Sequence, residues 1–398
     1  MPRLTPFHSR TAPLCQGSRW EEWSGFLSVS MYELSHIHEY NAVRTGAGLF
    51  DVSPLYKYDV RGRDAVALLD RIMVRDITKL SVGQVYYTTW CDDEGMVIDD
   101  GTVSRLGEDR FRMTAAIPTL HWLQDNAVGL DVEVEDTSER YGALSLQGPT
   151  SREMLQKLTD ADLGGLGFFR CTETNVAGAP AAISRTGYTG DLGYEIFVEP
   201  QHAEKLWDSL MELAEDYQML PAGEVALNLA RVEAGLLLIE ADFISAAQTM
   251  FAVQKTSPFE LGLGWMVRLK KDFFIGQQAL IREKEKGSRW ATVGLDLDVT
   301  TLEKVYGEYG MPLHLPDAAW TGPVPIYADE PQEQHIGRGT SGCWSPTLKK
   351  YIVMARIKPE HSKLGNLIFI EEMVEAHTYS IPATVVKMPF FDPPRKRA

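Results

Sequence analysis

Apolar residues recur at helical spacing at Leu34, Ile37, Tyr40 and Val43, which predicts a helix starting near Tyr32 and stopped by Gly46 and Gly48. Residues 49–52 then form a short apolar run that reads as a buried strand, and a second helix follows Gly62 through Ala65, Leu68, Leu69 and Ile72. Two β-like runs, 85–90 and 97–98, flank Asp92-Asp93-Glu94-Gly95, which predicts a hairpin. Residues 110–114 read as a further strand, and 118–126 as a short helix with proline in its first turn. Strands are expected at 143–146, 181–184 and 194–198, and helices after Pro149 (capped by Thr150 or Ser151), at 202–217 and within 221–240. The stretch 241–258 is polar and less periodic and reads as a long loop. Beyond the charged linker at 285–290, short alternating runs rich in Gly and Pro predict a β-rich barrel or sandwich, so a boundary is placed between residues 1–285 and 290–398.

The 398 residues fit two or three domains at about 150 residues each. A hydrophobic share of 44% and a charged share of 24% are those of a folded globular chain. The formal net charge of −16 argues against bulk nucleic-acid binding, because an acidic surface repels phosphate backbones. No apolar run approaches the ~18 residues of a membrane span, and the opening residues read poorly as a secretion signal. Cys15, Cys91, Cys171 and Cys343 are far apart with no C-x-x-C pair, so free thiols and a cytoplasmic home are expected.

Several familiar signals fail. Residues 337–342 match G-x-G-x-x-G, but Cys343-Trp344-Ser345-Pro346 follows instead of a helix, so a turn between strands is expected there. P-loop and G-x-S-x-G motifs are absent. His36 and His38, two apart on a helix, diverge and make a poor metal pair; one surface and one semi-buried histidine are expected, and no metal is implied. Three stretches remain. In 95–100, Asp99 and Asp100 are adjacent on a strand, so only one can enter a given cavity; taken alone, the stretch reads first as a solvated loop acid. Residues 184–195 (S-R-T-G-Y-T-G-D-L-G-Y-E) fit either a backbone shaped for a ligand, with Glu195 at its end, or a glycine-rich hairpin. In 257–265, Trp265 suits a flat aromatic ligand and a protein core equally.

In this order and spacing, these stretches resemble the aminomethyltransferase family, the glycine cleavage T-protein and its folate-dependent relatives. Further matches are 42–53 (A-V-R-T-G-A-G-L-F-D-V-S), 146–149, 231–235, 274–280, 341–342 and 345–348, so the resemblance covers nearly the whole chain. It implies an α+β fold of three subdomains in a ring: antiparallel sheets with helices, then a C-terminal β-barrel. Tetrahydrofolate would sit in the central hole. Residue by residue, the resemblance implies a catalytic Asp100, a pterin-holding Glu195, and pocket positions at Tyr188, Tyr87 and Trp265.

The chain departs from the family's pattern where a donor would bind. Ser53-Pro54-Leu55-Tyr56 replaces a His-Met continuation, Leu227 stands where the family has an arginine, and 243–255 is an insertion. Tyr56 and Leu227 are therefore candidate substrate-pocket positions. The expected activity is transfer of an aminomethyl or methyl group from a small donor to tetrahydrofolate. Alternatives are a demethylase of an S-, O- or N-methyl substrate and a non-enzymatic folate-binding regulatory or assembly protein. Expected partners are the small donor and a lipoyl carrier protein or an amine-oxidising flavoprotein.

Overall fold

A computed structural model describes residues 2–398. The strands Tyr56–Arg61, Val85–Cys91, Val97–Gly107, Arg110–Ala115 and Glu133–Asp136 pair antiparallel in one five-stranded sheet. Alternation along them sends Tyr58, Val60, Val103, Phe111 and Met113 into a core shared with the helix Ala65–Ile72. A six-stranded sheet runs in the order Cys171–Val176, Ala179–Ser184, Gly193–Val198, Gly142–Gln147, Ala47–Asp51, Met219–Pro221. Only its last pairing is parallel. This sheet packs on the helices Ser151–Gln156 and Ala203–Met211 through Met154, Leu206, Trp207 and Leu210. Six strands between Ala291 and Val386 close into a barrel, the α+β architecture with a C-terminal barrel that the resemblance implies. The helices His36–Thr45 and Glu224–Glu233 lie where these units meet, in a core that also takes Phe50, Val97, Met266 and the barrel's Cys343 and Met354.

Local differences from the sequence reading have identifiable causes. The first helix begins at His36, not Tyr32: the Ser35 hydroxyl accepts from the Ile37 amide, and Leu34 stays outside. No elements were expected ahead of it, yet Arg19–Trp23 and Phe26–Met31 form a hairpin. Its turn is the Ser24-Gly25 pair, with φ of 50° and 80°, the conformation that matches strand twist. A helix at Val299–Glu308 was also missed; the Asp298 carboxylate caps it, and Leu302 and Val305 face the barrel. Thr150 precedes its helix but sends its hydroxyl to the Tyr217 carbonyl rather than capping.

Residues 337–342 are not a turn but part of the long strand His335–Ser345. Their glycines leave room for neighbours: a Cβ on Gly337 would meet the Arg356 carbonyl at 2.2 Å, and one on Gly342 the Trp320 ring at 2.4 Å. The C-terminal tail is held to the body of the protein, with Arg395 donating to both Asp191 oxygens at 2.7 and 2.8 Å. His36 is buried against the Asp317 carbonyl and His38 is at the surface beside Glu33.

A buried charge cluster pins the two central helices. Arg44 donates to Glu233 at 2.9 and 2.7 Å, and Glu233 also accepts from the hydroxyls of Tyr40 and of Ser345 in the barrel. Removing one member strands the other charge away from water. Glu233→Ala is therefore expected to destabilise the fold by about 3–5 kcal/mol, read as a lower denaturant midpoint with the slope unchanged.

Candidate active site

One cavity of about 730 Å³ opens among the three units. Each unit contributes wall: Tyr87, Asp100 and Tyr56 from the five-stranded sheet, Glu195 and Phe197 from the six-stranded sheet, and Ala318, Ala319 and Thr321 from the barrel region. The N-terminal hairpin adds Glu21, Glu22, Trp23 and Ser24. The helix Glu224–Glu233 presents Glu224, Leu227, Asn228 and Arg231, positions that share one helical face.

The two adjacent aspartates part as strand geometry demands. Asp99 turns away and accepts the amides of Ala116 and Ile117 at 2.9 and 3.0 Å. Asp100 turns to the cavity, and the Tyr87 hydroxyl donates to its Oδ2 at 2.6 Å. Burial pushes the Asp100 carboxyl up to about 6; the Tyr87 hydrogen bond opposes this and the Asp242 charge adds to it.

Glu195 and Phe197 face the cavity from the strand Gly193–Val198, while Tyr194, Ile196 and Val198 face the core. The Thr186 hydroxyl donates to Glu195 Oε2 at 2.5 Å, with Ser184 beside it at 3.4 Å. Burial raises the Glu195 carboxyl, against the pull of these hydroxyls and of the Lys57 charge. Lys57 itself is fully buried; its Nζ donates to the Ser53 and Leu55 carbonyls, both at 2.8 Å, and so fixes the turn that carries Leu55 and Tyr56 into the cavity wall.

The glycines of 184–195 have a different origin from close approach to a ligand. A Cβ on Gly187 or Gly193 would lie 2.0 or 2.1 Å from the Gln147 amide oxygen. That amide is threaded between them, donating to the Thr186 carbonyl at 3.1 Å and accepting from Thr189 at 3.0 Å. Gln147 thereby holds the loop whose Thr186 contacts Glu195 and whose Tyr188 hydroxyl donates to the Leu237 carbonyl at the cavity wall.

Asp100, Glu195, Tyr188, Tyr87, Tyr56 and Leu227 thus line one cavity. Trp265 does not: it stands 56% exposed outside the cavity, its ring 5.6 Å from the Arg75 guanidinium. Position 265 follows irregular turns, where no strand or helix period fixes the direction of the ring. Sequence reasoning passed over Trp23, Glu224 and the Arg231–Asp242 pair. Arg231 Nη1 meets Asp242 at 2.6 Å, Nη2 the Ser341 hydroxyl at 2.8 Å, and Nε the Asn228 side-chain amide oxygen Oδ1 at 2.7 Å. The signal for that pair was an arginine on the apolar face of a helix, where a charge needs a partner. Among the described residues no group of three or more His, Cys, Asp or Glu gathers as a metal would need, and no helix is long and apolar enough to cross a membrane.

The family model of the GCVT N-terminal domain matches residues 8–271, and that of the glycine cleavage T-protein C-terminal barrel domain matches 311–392. The chain belongs to the glycine cleavage T-protein family. An aminomethyltransferase of Halothermothrix orenii is 35% identical over 378 residues, covering 94% of this chain and 96% of the relative. The trimethylamine-oxide aldolase of Ruegeria pomeroyi is 36% identical across 100% of this chain, which spans only 48% of that protein. The crystal structure of the glycine cleavage system aminomethyltransferase T from Bartonella henselae superposes with a TM-score of 0.82 at 24% identity, covering 98% of this chain and 99% of that one. That superposition extends through the barrel.

Among the described residues Tyr87 is the one side chain that hydrogen-bonds the Asp100 carboxylate, and a bond to a charged acceptor stabilises the ionised form by about 1.5–3 kcal/mol. Tyr87→Phe removes a group that lowers the Asp100 pKa, so ionisation is expected to move upward from about 6 by about one to two units. Carbon-13 detection of the aspartate carboxyls during a pH titration reads this shift; a downward move contradicts the assigned cause.

Proposed function

We propose that this chain is a tetrahydrofolate-dependent one-carbon transferase that takes an aminomethyl or methyl group from a small donor. The observation that carries this reading is the pair of carboxylates, Asp100 and Glu195, set into the walls of a single cavity. Each has one oxygen engaged by neighbouring hydroxyls and a second with no protein hydrogen bond among the described residues. A reduced pterin presents a ring N–H beside an exocyclic amine, a fork that a carboxylate accepts in two parallel hydrogen bonds. The cavity volume lies within the range of small-ligand and cofactor sites.

Glu195 is the group that would hold the pterin, with Phe197 and Tyr188 as flanking walls. Tetrahydrofolate, when bound, supplies the nucleophilic nitrogen that takes up the one-carbon unit. Asp100, poised at about 6, holds or releases a proton near neutral pH and stabilises positive charge developing beside it. Tyr87 fixes the Asp100 carboxylate in one orientation, so no reorientation is needed during reaction.

A second reading has its own support. The chain matches a trimethylamine-oxide aldolase over only about half of that protein. In this reading the cavity receives a one-carbon unit released by a separate catalytic unit or flavoprotein, and a carrier or donor is not bound directly.

Asp100→Asn is expected to leave folate affinity within about twofold and to lower turnover at least about tenfold, inside the range general acid–base placement supplies. Glu195→Gln is expected to weaken binding of 5-formyltetrahydrofolate at least about tenfold, since one charged hydrogen-bonding group is lost. Calorimetry and single-turnover formation of methyl- or methylene-tetrahydrofolate separate the two effects. Full turnover in Asp100→Asn removes its proposed role.

A further inference from the structure

The charged side chains lining the cavity are unbalanced. Six are carboxylates (Glu21, Glu22, Asp100, Glu195, Glu224 and Glu240), and Arg231 is the one base. The Arg231 guanidinium is already committed to Asp242, Ser341 and Asn228, and leaves no cation for an anionic donor. This inference rests on the reading of the cavity as a one-carbon transfer site and concerns its other end.

Glu224 differs from the remaining acids. It opens the helix Glu224–Glu233, and its Oε1 is buried with no hydrogen-bond partner among the described residues. A buried carboxylate oxygen without a partner is costly, and a cation bound beside it would remove that cost. Burial lifts its pKa to about 7, with the Ser28 hydroxyl opposing the rise and the Glu21 charge adding to it. Trp23 and Leu227 accompany it: all three line the main cavity and also wall a water-sized polar chamber of about 10 Å³ beside it. A carboxylate, an indole and an isobutyl group on one wall suit a ligand that is both positively charged and alkylated, because the ring attracts the cation and the apolar groups bury its alkyl substituents.

We propose that Glu224, Trp23 and Leu227 form the donor subsite and that it selects a small alkylated organic cation, an ammonium or similar onium group, over neutral and anionic compounds. Leu227 contributes as much as the acid does: a guanidinium at that position would neutralise Glu224 and repel such a ligand.

The test uses the full chain with choline and its uncharged carbon isostere, 3,3-dimethyl-1-butanol, in calorimetry, with 5-formyltetrahydrofolate titrated separately. Choline is expected to bind saturably and at least about tenfold more tightly than the isostere, by the margin one desolvated cation–carboxylate contact supplies. Glu224→Gln is expected to remove that preference while folate affinity stays within about twofold. Leu227→Arg, which leaves the acid in place, is expected to abolish choline binding as well. Equal affinity for choline and the isostere, absence of saturable choline binding, or an undiminished preference in Glu224→Gln overturns the subsite. Choline selectivity in a protein that ignores folate overturns the transferase reading and leaves the subsite standing.

Discussion

The Arg231 guanidinium carries its charge at zero exposure, and a central helix, an irregular segment and the barrel come together around its partners. Asp242 accepts from it at 2.6 Å and in turn accepts from the Thr340 and Ser341 hydroxyls of the barrel, at 2.5 and 2.8 Å. Arg356, on the neighbouring barrel strand, donates to the Asp242 carbonyl and to Thr256. A helix, an irregular segment and two barrel strands therefore share one polar network, and none of its members has water as an alternative. Such networks contribute little net stability against an apolar packing but heavily penalise any arrangement in which one member is missing. Because Arg231 also lines the cavity, the shape of the cavity is tied to how the barrel seats.

Much of the fold is written in local pattern. The hairpin at 92–95, the helix after Gly62 and the strands of the five-stranded sheet follow from period and turn chemistry, because each element's apolar face is read directly off alternating or helical spacing. The N-terminal hairpin escaped because its strands are short and its Ser-Gly turn is a weak signal among polar neighbours. The glycines of 337–342 looked like a turn because a small residue demanded by a neighbouring ring or carbonyl is indistinguishable, in one sequence, from one demanded by backbone torsion.

The candidate site divides the same way. Asp100 and Glu195 were singled out through the family resemblance of their motifs, while strand alternation alone says only that one of two adjacent acids can face a given cavity. The direction of Trp265 was not legible, since a ring on an irregular segment has no periodic face. Glu224 was invisible: its significance comes from an oxygen with no partner, which only the folded arrangement of Trp23, Leu227 and its own helix creates.

Gln147 has a consequence for how variation in the glycine-rich stretch is to be understood. Its amide fills the volume that side chains at 187 and 193 would need, so those three positions behave as one interlocked unit spread over two strands and a loop. A larger residue at either glycine displaces the amide, frees Thr186 and Thr189 from it, and so reaches the Glu195 carboxylate without touching the cavity. Defects mapped to this motif report on a hidden wedge, and a shorter residue at 147 is the change that makes a bulkier one at 187 or 193 tolerable.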